Sequence, residues 1–330
     1  MEADDYAKRK AAEIASFKKL EDFSALSDIA SWWAPLYLGP RVKSIFGTNT
    51  PAAFYGAPIQ RIALGVGTVR ILSVGSGDGD MECKVAAFLK RNGTTNFKIT
   101  GVELSAALVE RAKKRAAESG VDGHVEFIEN DAKNLPGAKV DVIICNQILH
   151  HITDLEELFE ALRRILVPGG TLLTRDMIGR NGHLAWPEAL ELINHIWTDM
   201  PKRYQYHHGQ KRTFEKFPNI DFSKVGFEGI RCQDILPLMV KGFRFRKFYA
   251  FGGIVERFIS LGFGPNYDAK NEDDLNFVRM LQVVNDLALD TGVIKPTQMI
   301  AELTNEEIDC QCWGKRTPEF CVRDTAAPPY

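Results

Sequence analysis

The run Val69 to Gly79, Val-Arg-Ile-Leu-Ser-Val-Gly-Ser-Gly-Asp-Gly, constrains the fold more than any other stretch. Its first half is β-branched and apolar, as a strand buried on both faces must be. Gly75, Gly77 and Gly79 then alternate, and Met81, Val85, Phe88 and Leu89 recur at helical spacing up to Arg91. The expected unit is strand, glycine-rich turn, helix. Glycine there permits positive φ and leaves no Cβ between backbone and ligand. The spacing is G-x-G-x-G; a dinucleotide turn wants G-x-G-x-x-G, and the sixth position here is Asp80. The acidic Asp78 and Asp80 suit an ammonium group or ribose hydroxyls and would repel a diphosphate.

A chain of 330 residues holds one large or two modest domains. Its formal charge of -2 gives no global attraction to nucleic acid or an anionic membrane, so neither is expected as a partner. No apolar run approaches a spanning helix, and the start Met-Glu-Ala-Asp-Asp is acidic, unlike a signal peptide. The six cysteines are scattered, with only Cys310 and Cys312 close, so free thiols in a reducing cytoplasm are expected.

Residues 1 to about 30 read as helix, with Ala11, Ile14, Phe17 and Leu20 at helical spacing. Ser31 to Tyr55 is rich in aromatics and turn residues. It reads as a helical cap on the main domain, and part of it is also placed to close over a ligand. A helix from Pro58 to Gly67 leads into the first strand. Phe97 to Glu103 is the second strand, and Glu103 follows Gly79 by 24 residues. A carboxylate at that strand end can accept from both hydroxyls of a ribose. Ser105 reads as the N-cap of a helix to Ser119, followed by a third strand, Val125 to Asn130. Asp131-Ala132 comes next, where Asp131 also reads simply as a turn former. Val140 to Cys145 is a fourth, wholly buried strand running into Asn146-Gln147-Ile148-Leu149-His150-His151. Asp154 reads as the cap of a helix to Leu166. Pro168-Gly169-Gly170 then stops the helix before a fifth strand, Thr171 to Arg175.

Later signals are weaker. Trp186 to Trp197 and Leu275 to Leu289 read as helices, and Val225 to Ile235 as a sixth strand. Residues 200 to 218 are basic and aromatic, which fits a solvated loop or a seat for an acidic acceptor. Phe243, Phe245, Phe248, Phe251 and Phe258 alternate with Arg and Lys. They read as core or as a dimer face, with binding of single-stranded nucleic acid as the alternative. Irregular structure and a partly mobile tail are expected from Asn305.

Residues 69 to 178 resemble the class I S-adenosylmethionine (SAM)-dependent methyltransferases, of the type acting on small molecules. Five landmarks in order carry the resemblance: the G-x-G-x-G turn, the acid Glu103, Asp131-Ala132, the segment ending Leu149-His150-His151, and the helix–L-x-P-G-G–strand passage. It implies a Rossmann-like, doubly wound, mostly parallel seven-stranded α/β sheet. A helical aromatic cap over 1–57 would precede a SAM-binding domain over 58–240 and a helical C-terminal extension over 241–330, serving as acceptor lid or dimer element. It implies SAM as cofactor, leaving as S-adenosylhomocysteine. The residues implied to hold it are Gly75, Ser76, Gly77, Asp78, Gly79, Glu103, Leu104, Asp131, Ala132, Asn146 and Gln147, with the Asp131 carboxylate on the adenine amino group. His150 and His151 are the catalytic candidates, as a general base beside the methyl group, then His183, His207 and His208. No metal is expected, since Asn146 stands where an acidic ligand would be. The Asn/Asp-Pro-Pro-Tyr signature of nucleobase and glutamine methylation is missing; Pro-Pro-Tyr occurs only at 328–330. The expected protein is therefore a cytoplasmic methyltransferase of an O, N or C nucleophile on a small-molecule acceptor, a natural product or an acid, with a homodimer left open. The alternatives are a protein or RNA methyltransferase and a non-catalytic SAM-binding module.

Overall fold

The computed structural model describes residues 3–17, 26–65, 67–224 and 226–324. Leu20, Val225 and the terminal Pro328 to Tyr330, all named above, lie outside them. Four helices precede the sheet: α1 (Ala3–Phe17), α2 (Asp28–Tyr37), α3 (Gly39–Phe46) and α4 (Pro51–Ala63). Five strands then alternate with helices: β1 (Val69–Val74), α5 (Asp80–Arg91), β2 (Phe97–Glu103), α6 (Ala106–Glu118), β3 (Val125–Glu129), β4 (Val140–Asn146), α7 (Leu155–Ile165) and β5 (Leu166–Met177). Beyond them come α8 (Pro187–Asp199), α9 (Cys232–Gly242), β6 (Arg244–Phe251), α10 (Val255–Ile259), α11 (Glu272–Thr291), β7 (Gln298–Thr304), β8 (Gln311–Cys312) and α12 (Pro318–Cys321).

These strands form one sheet in the order β8-β6-β7-β5-β4-β1-β2-β3. β1 to β5 are parallel, and β7 lies antiparallel between β5 and β6. The doubly wound arrangement is as expected, but the count is eight strands rather than seven, because two residues add β8 at the edge. Alternation along the strands fills two cores. Leu72, Val74, Ile143, Cys145 and Leu172 meet α7 and α9 on one face. Ile71, Val142, Ile144 and Leu173 belong with α4, α5 and α6 on the other. Burial on both faces is what the near-continuous apolar runs of β1 and β4 require. A third core joins α2, α8, α10 and α11.

Several local readings are corrected. Residues 226–231 are turn, and Cys232–Gly242 is α9, not a sixth strand. The sixth strand is the arginine–phenylalanine stretch Arg244–Phe251, whose phenylalanines pack into the core. Phe243, Phe245, Phe248, Phe251 and Phe258 are all buried, so none offers a ring to a nucleic-acid base. The sheet also runs past residue 240: β6, β7 and β8 all come from the segment read as a helical extension. Pro168-Gly169-Gly170 lies within β5, because α7 already ends at Ile165. Ser105 and Asp154 stand at helix N-cap positions without capping through their side chains. Asp154 instead accepts from the Thr153 hydroxyl and pairs with Lys133. Past Asn305 the chain still forms β8 and α12. The basic 200–218 segment is a short hairpin in which Arg203 pairs with Asp274. No helix among the described residues is long and apolar enough to cross a membrane.

Candidate active site

In an open parallel sheet, ligands sit beyond the carboxyl ends of the strands where the winding direction reverses, here between β1 and β4. The loops leaving those two strands touch: a Cβ on Gly75 would lie 2.4 Å from Ile148 Cγ1. The three glycines of the turn all have positive φ, but their surroundings differ. Gly75 is held by Ile148, and a Cβ on Gly79 would meet Phe127 and Ala112. Gly77, at φ +55°, faces open space, with nothing within 4 Å of an added Cβ. Gly75 and Gly79 therefore serve packing, and only Gly77 offers bare backbone to a ligand.

Glu103, at the end of β2, curls back onto this turn. Its carboxylate accepts from the Gly77 N–H at 3.0 Å and the Ser105 N–H at 2.8 Å. Burial raises its pKa, against the pull of those backbone donors. Each oxygen keeps a lone pair for a further donor. Ser76 Oγ and Ser105 Oγ lie buried beside it without a partner. Orphaned hydroxyls next to an open backbone cradle are a donor set that a ribosyl, amino-acid-bearing ligand would satisfy. The residues present thus fit the nucleoside cofactor that the turn implied.

Two of the expected contacts are otherwise engaged. Asp78 pairs with Arg115 of α6, and Asp80 with Lys84 and Arg115. Asp131 accepts from the Tyr6 hydroxyl at 2.9 Å, with Lys10 at 3.6 Å. Both partners belong to α1, which closes over this end of the sheet. Arg9 of α1 donates to the carbonyls of Ser223 and Gly226, and Glu13 accepts from the Phe227 N–H. Leu104 and Ala132 are half-buried beside Glu103 and Asp131. Asn146 accepts from the buried Tyr55 hydroxyl at 2.8 Å. Gln147 takes a left-handed φ of 54°, tied by its N–H to the Arg175 carbonyl.

Past β4 the imidazoles gather. The His150 and His151 rings lie tilted against each other at 4.2 Å between centroids, and the His183 ring stands 5.4 Å from that of His150. His150 Nδ1 is 2.6 Å from Asp176, which is fully buried at the end of β5. Asp176 also accepts from the N–H groups of Ile148, Leu149 and Met177. With its oxygens taking these backbone donors, Asp176 is the acceptor that orients His150 through Nδ1 and leaves Nε2 facing away from it. His151 Nδ1 lies 2.5 Å from Glu13. Burial alone would lower the pKa of His151, but Glu13 and neighbouring acids more than offset it and raise it. Glu228 faces all three rings, at 2.5 Å from His183 Nε2 and 3.6 Å from both His150 Nε2 and His151 Nε2. Burial works against its ionised form, yet the His183 hydrogen bond and the adjacent imidazoles hold it down at about 2.

His150, His151 and His183 therefore come together. His208 does not, bonding Asn266 instead, and His207 packs on Phe263. Asp176, Glu228, Glu13 and Tyr6 were not anticipated. An acid ending an apolar strand was a usable signal for Asp176. Glu228 sat in a segment misread as strand, and no local pattern marked it.

The sheet and its glycine turn are those of a Rossmann-like methyltransferase domain. Residues 67–228 match the model of a family described as "Methyltransferase domain". The chain carries a domain of the class I SAM-dependent methyltransferases. Among curated proteins it is 33% identical over 111 residues to 27-O-demethylrifamycin SV methyltransferase of Amycolatopsis mediterranei, covering 33% of this chain and 39% of that one. It is also 33% identical over 135 residues to the ubiquinone biosynthesis O-methyltransferase of Klebsiella pneumoniae, covering 40% and 52%. The chain thus spans about half, or less, of these relatives' lengths. A crystal structure of the [4+2]-cyclase SpnF superposes with a TM-score of 0.43 at 17% identity, covering 76% of this chain and 80% of that one.

Proposed function

We propose that this protein transfers a methyl group from SAM to an O, N or C nucleophile of a small-molecule acceptor. The observation that carries the reading is the adjacency of the Gly77–Glu103 cradle to the histidine cluster, through loops that touch at Gly75 and Ile148. Bound in the cradle, SAM supplies an electrophilic methyl group for in-line displacement. The chain's own contribution is alignment, worth about 7–11 kcal/mol when reacting atoms are held in line. His150, its tautomer set by Asp176, presents Nε2 as a proton acceptor, worth about 10²–10⁴-fold for a hydroxyl or protonated amine. α1 shields the site from water and is placed to help retain the adenosine end through Tyr6 and Asp131. A small acceptor is supported by how enclosed the imidazoles are, and by the curated relatives, whose names point to small-molecule methylation.

Methyl-labelled SAM incubated with a cell metabolite extract, a protein fraction and an RNA fraction tests the reading. Label is expected in the metabolite fraction. Label confined to protein or RNA would refute the acceptor class, and calorimetry showing no SAM binding would refute the whole reading.

A further inference from the structure

Three imidazoles turn their Nε2 atoms toward one carboxylate, and that arrangement asks for a cation. Asp176 engages His150 at Nδ1, so His150 Nε2 faces Glu228 Oε1 across 3.6 Å. At 3.6 Å the two atoms are too far apart for a hydrogen bond, so neither satisfies the other directly. His183 Nε2 touches the same oxygen at 2.5 Å, and the three ligand atoms lie within 4.8 Å of one another. Donor atoms bound about 2.1 Å from a shared ion stand about 3.0–3.5 Å apart, so side-chain shifts on the order of 1 Å bring this set to coordination distance.

We propose that His150 Nε2, His183 Nε2 and the Glu228 carboxylate bind a divalent first-row transition-metal ion, with Asp176 behind His150 as its orienting partner. Two imidazoles and one carboxylate with remaining positions open are a donor set for such ions. A buried carboxylate on the far nitrogen of a ligating histidine is the usual support for one. The backbone is organised around the same point. His183 takes a left-handed φ of 56°, a conformation that persists only where the surroundings enforce it. The enforcement is visible: the Gly182 N–H donates to the Gly229 carbonyl at 2.8 Å, and the Ile230 N–H to the His150 carbonyl at 3.1 Å. Three chain segments are thereby pinned so that His150, His183 and Glu228 converge. His151 stays outside the ligand set, held by Glu13.

The binding claim stands without the methyltransferase reading. The ion's purpose rests on that reading: a metal at this point favours acceptors that offer an oxygen ligand, such as a phenol, an enol or a hydroxy-carbonyl, and lowers the pKa of a coordinated hydroxyl. The ion would then take over the His150 lone pair, and acceptor activation would pass from proton abstraction to coordination.

The test uses the full chain stripped with chelator and dialysed. Calorimetric titration with Mn²⁺ and Zn²⁺, each alone, should give saturable binding of one ion per chain. Co²⁺ should develop a visible absorption band of an imidazole- and carboxylate-bound ion. H183Q and E228Q should each weaken binding by about tenfold or more, while H208A, remote from the cluster, should leave it unchanged. SAM affinity, titrated separately in the metal-free protein, should persist in all three variants. Absence of one-to-one binding in the parent chain, or binding unaltered in both H183Q and E228Q, would overturn the proposal. The parent-chain titration and the Co²⁺ spectrum decide the matter even if a variant fails to fold. SAM binding without metal binding would remove the ion and leave the methyltransferase reading in place.

Discussion

Gly77→Ala separates ligand binding from folding at the glycine turn. The added methyl meets no protein atom within 4 Å, so the fold pays only for φ +55°. An L-residue in that region costs about 1–2 kcal/mol, and a stiffer unfolded chain returns about 0.4–1 kcal/mol. The net loss is about 0–1.6 kcal/mol, a melting shift of roughly 4 °C or less in a chain of 330 residues. The same methyl occupies the space the backbone leaves for a ligand. SAM affinity should therefore fall by about tenfold or more, at least about 1.4 kcal/mol. Gly79→Ala is the contrast. Its methyl would stand 2.6 Å from Phe127 Cζ and 2.8 Å from Ala112 Cβ, at φ +75°. Overpacking and the backbone penalty together predict about 2–5 kcal/mol of lost stability. Thermal melts and SAM calorimetry on both variants are the assay. A folded Gly77→Ala protein binding SAM within about twofold of the parent would refute the cradle.

Two further outcomes are expected. Glu103→Ala removes the carboxylate on the Gly77 N–H and should weaken SAM by about 1–3 kcal/mol, the range for a hydrogen bond to a charged group; unchanged calorimetric affinity would reject the assignment. Glu82, buried behind the turn and accepting from the Ser73 hydroxyl, has its carboxyl raised to about 7, chiefly by burial. Because its folded value exceeds its unfolded value of 4.5, the native state binds the extra proton. Its contribution is full below that value and is lost as pH rises to about 7, roughly 3 kcal/mol in all. Urea denaturation at about pH 5 and about pH 8 should show that decline in the parent and a flatter profile in Glu82→Gln. An equal slope in both would show that another group is responsible.

From β1 to β5 the chain is readable residue by residue, because each landmark is local. Apolar runs mark strands buried on both faces, as in Val140 to Cys145, and Gly75 to Gly79 can only be a turn. The misreadings came where local pattern underdetermines structure. Arg244–Phe251 alternates phenylalanine with cations, which suits an exposed face as well as a strand, and only its pairing with β7 and the packing of α9 decide for the core. Val225 to Ile235 read as a strand, with Gly226 and Gly229 inside it. Those glycines instead permit the turn that carries Glu228.

The succession β1 to β5 and the glycine turn after β1 were thus written in the sequence, since a strand, a turn and an acid at the next strand end are each specified by a handful of neighbouring residues. The company His150 keeps was not. Asp176 arrives from an adjacent strand, His183 and Glu228 from two loops fastened by backbone hydrogen bonds, and Glu13, on its neighbour His151, from the first helix. Their convergence depends on how the sheet, its loops and α1 pack in three dimensions, and no spacing along the chain encodes that distance.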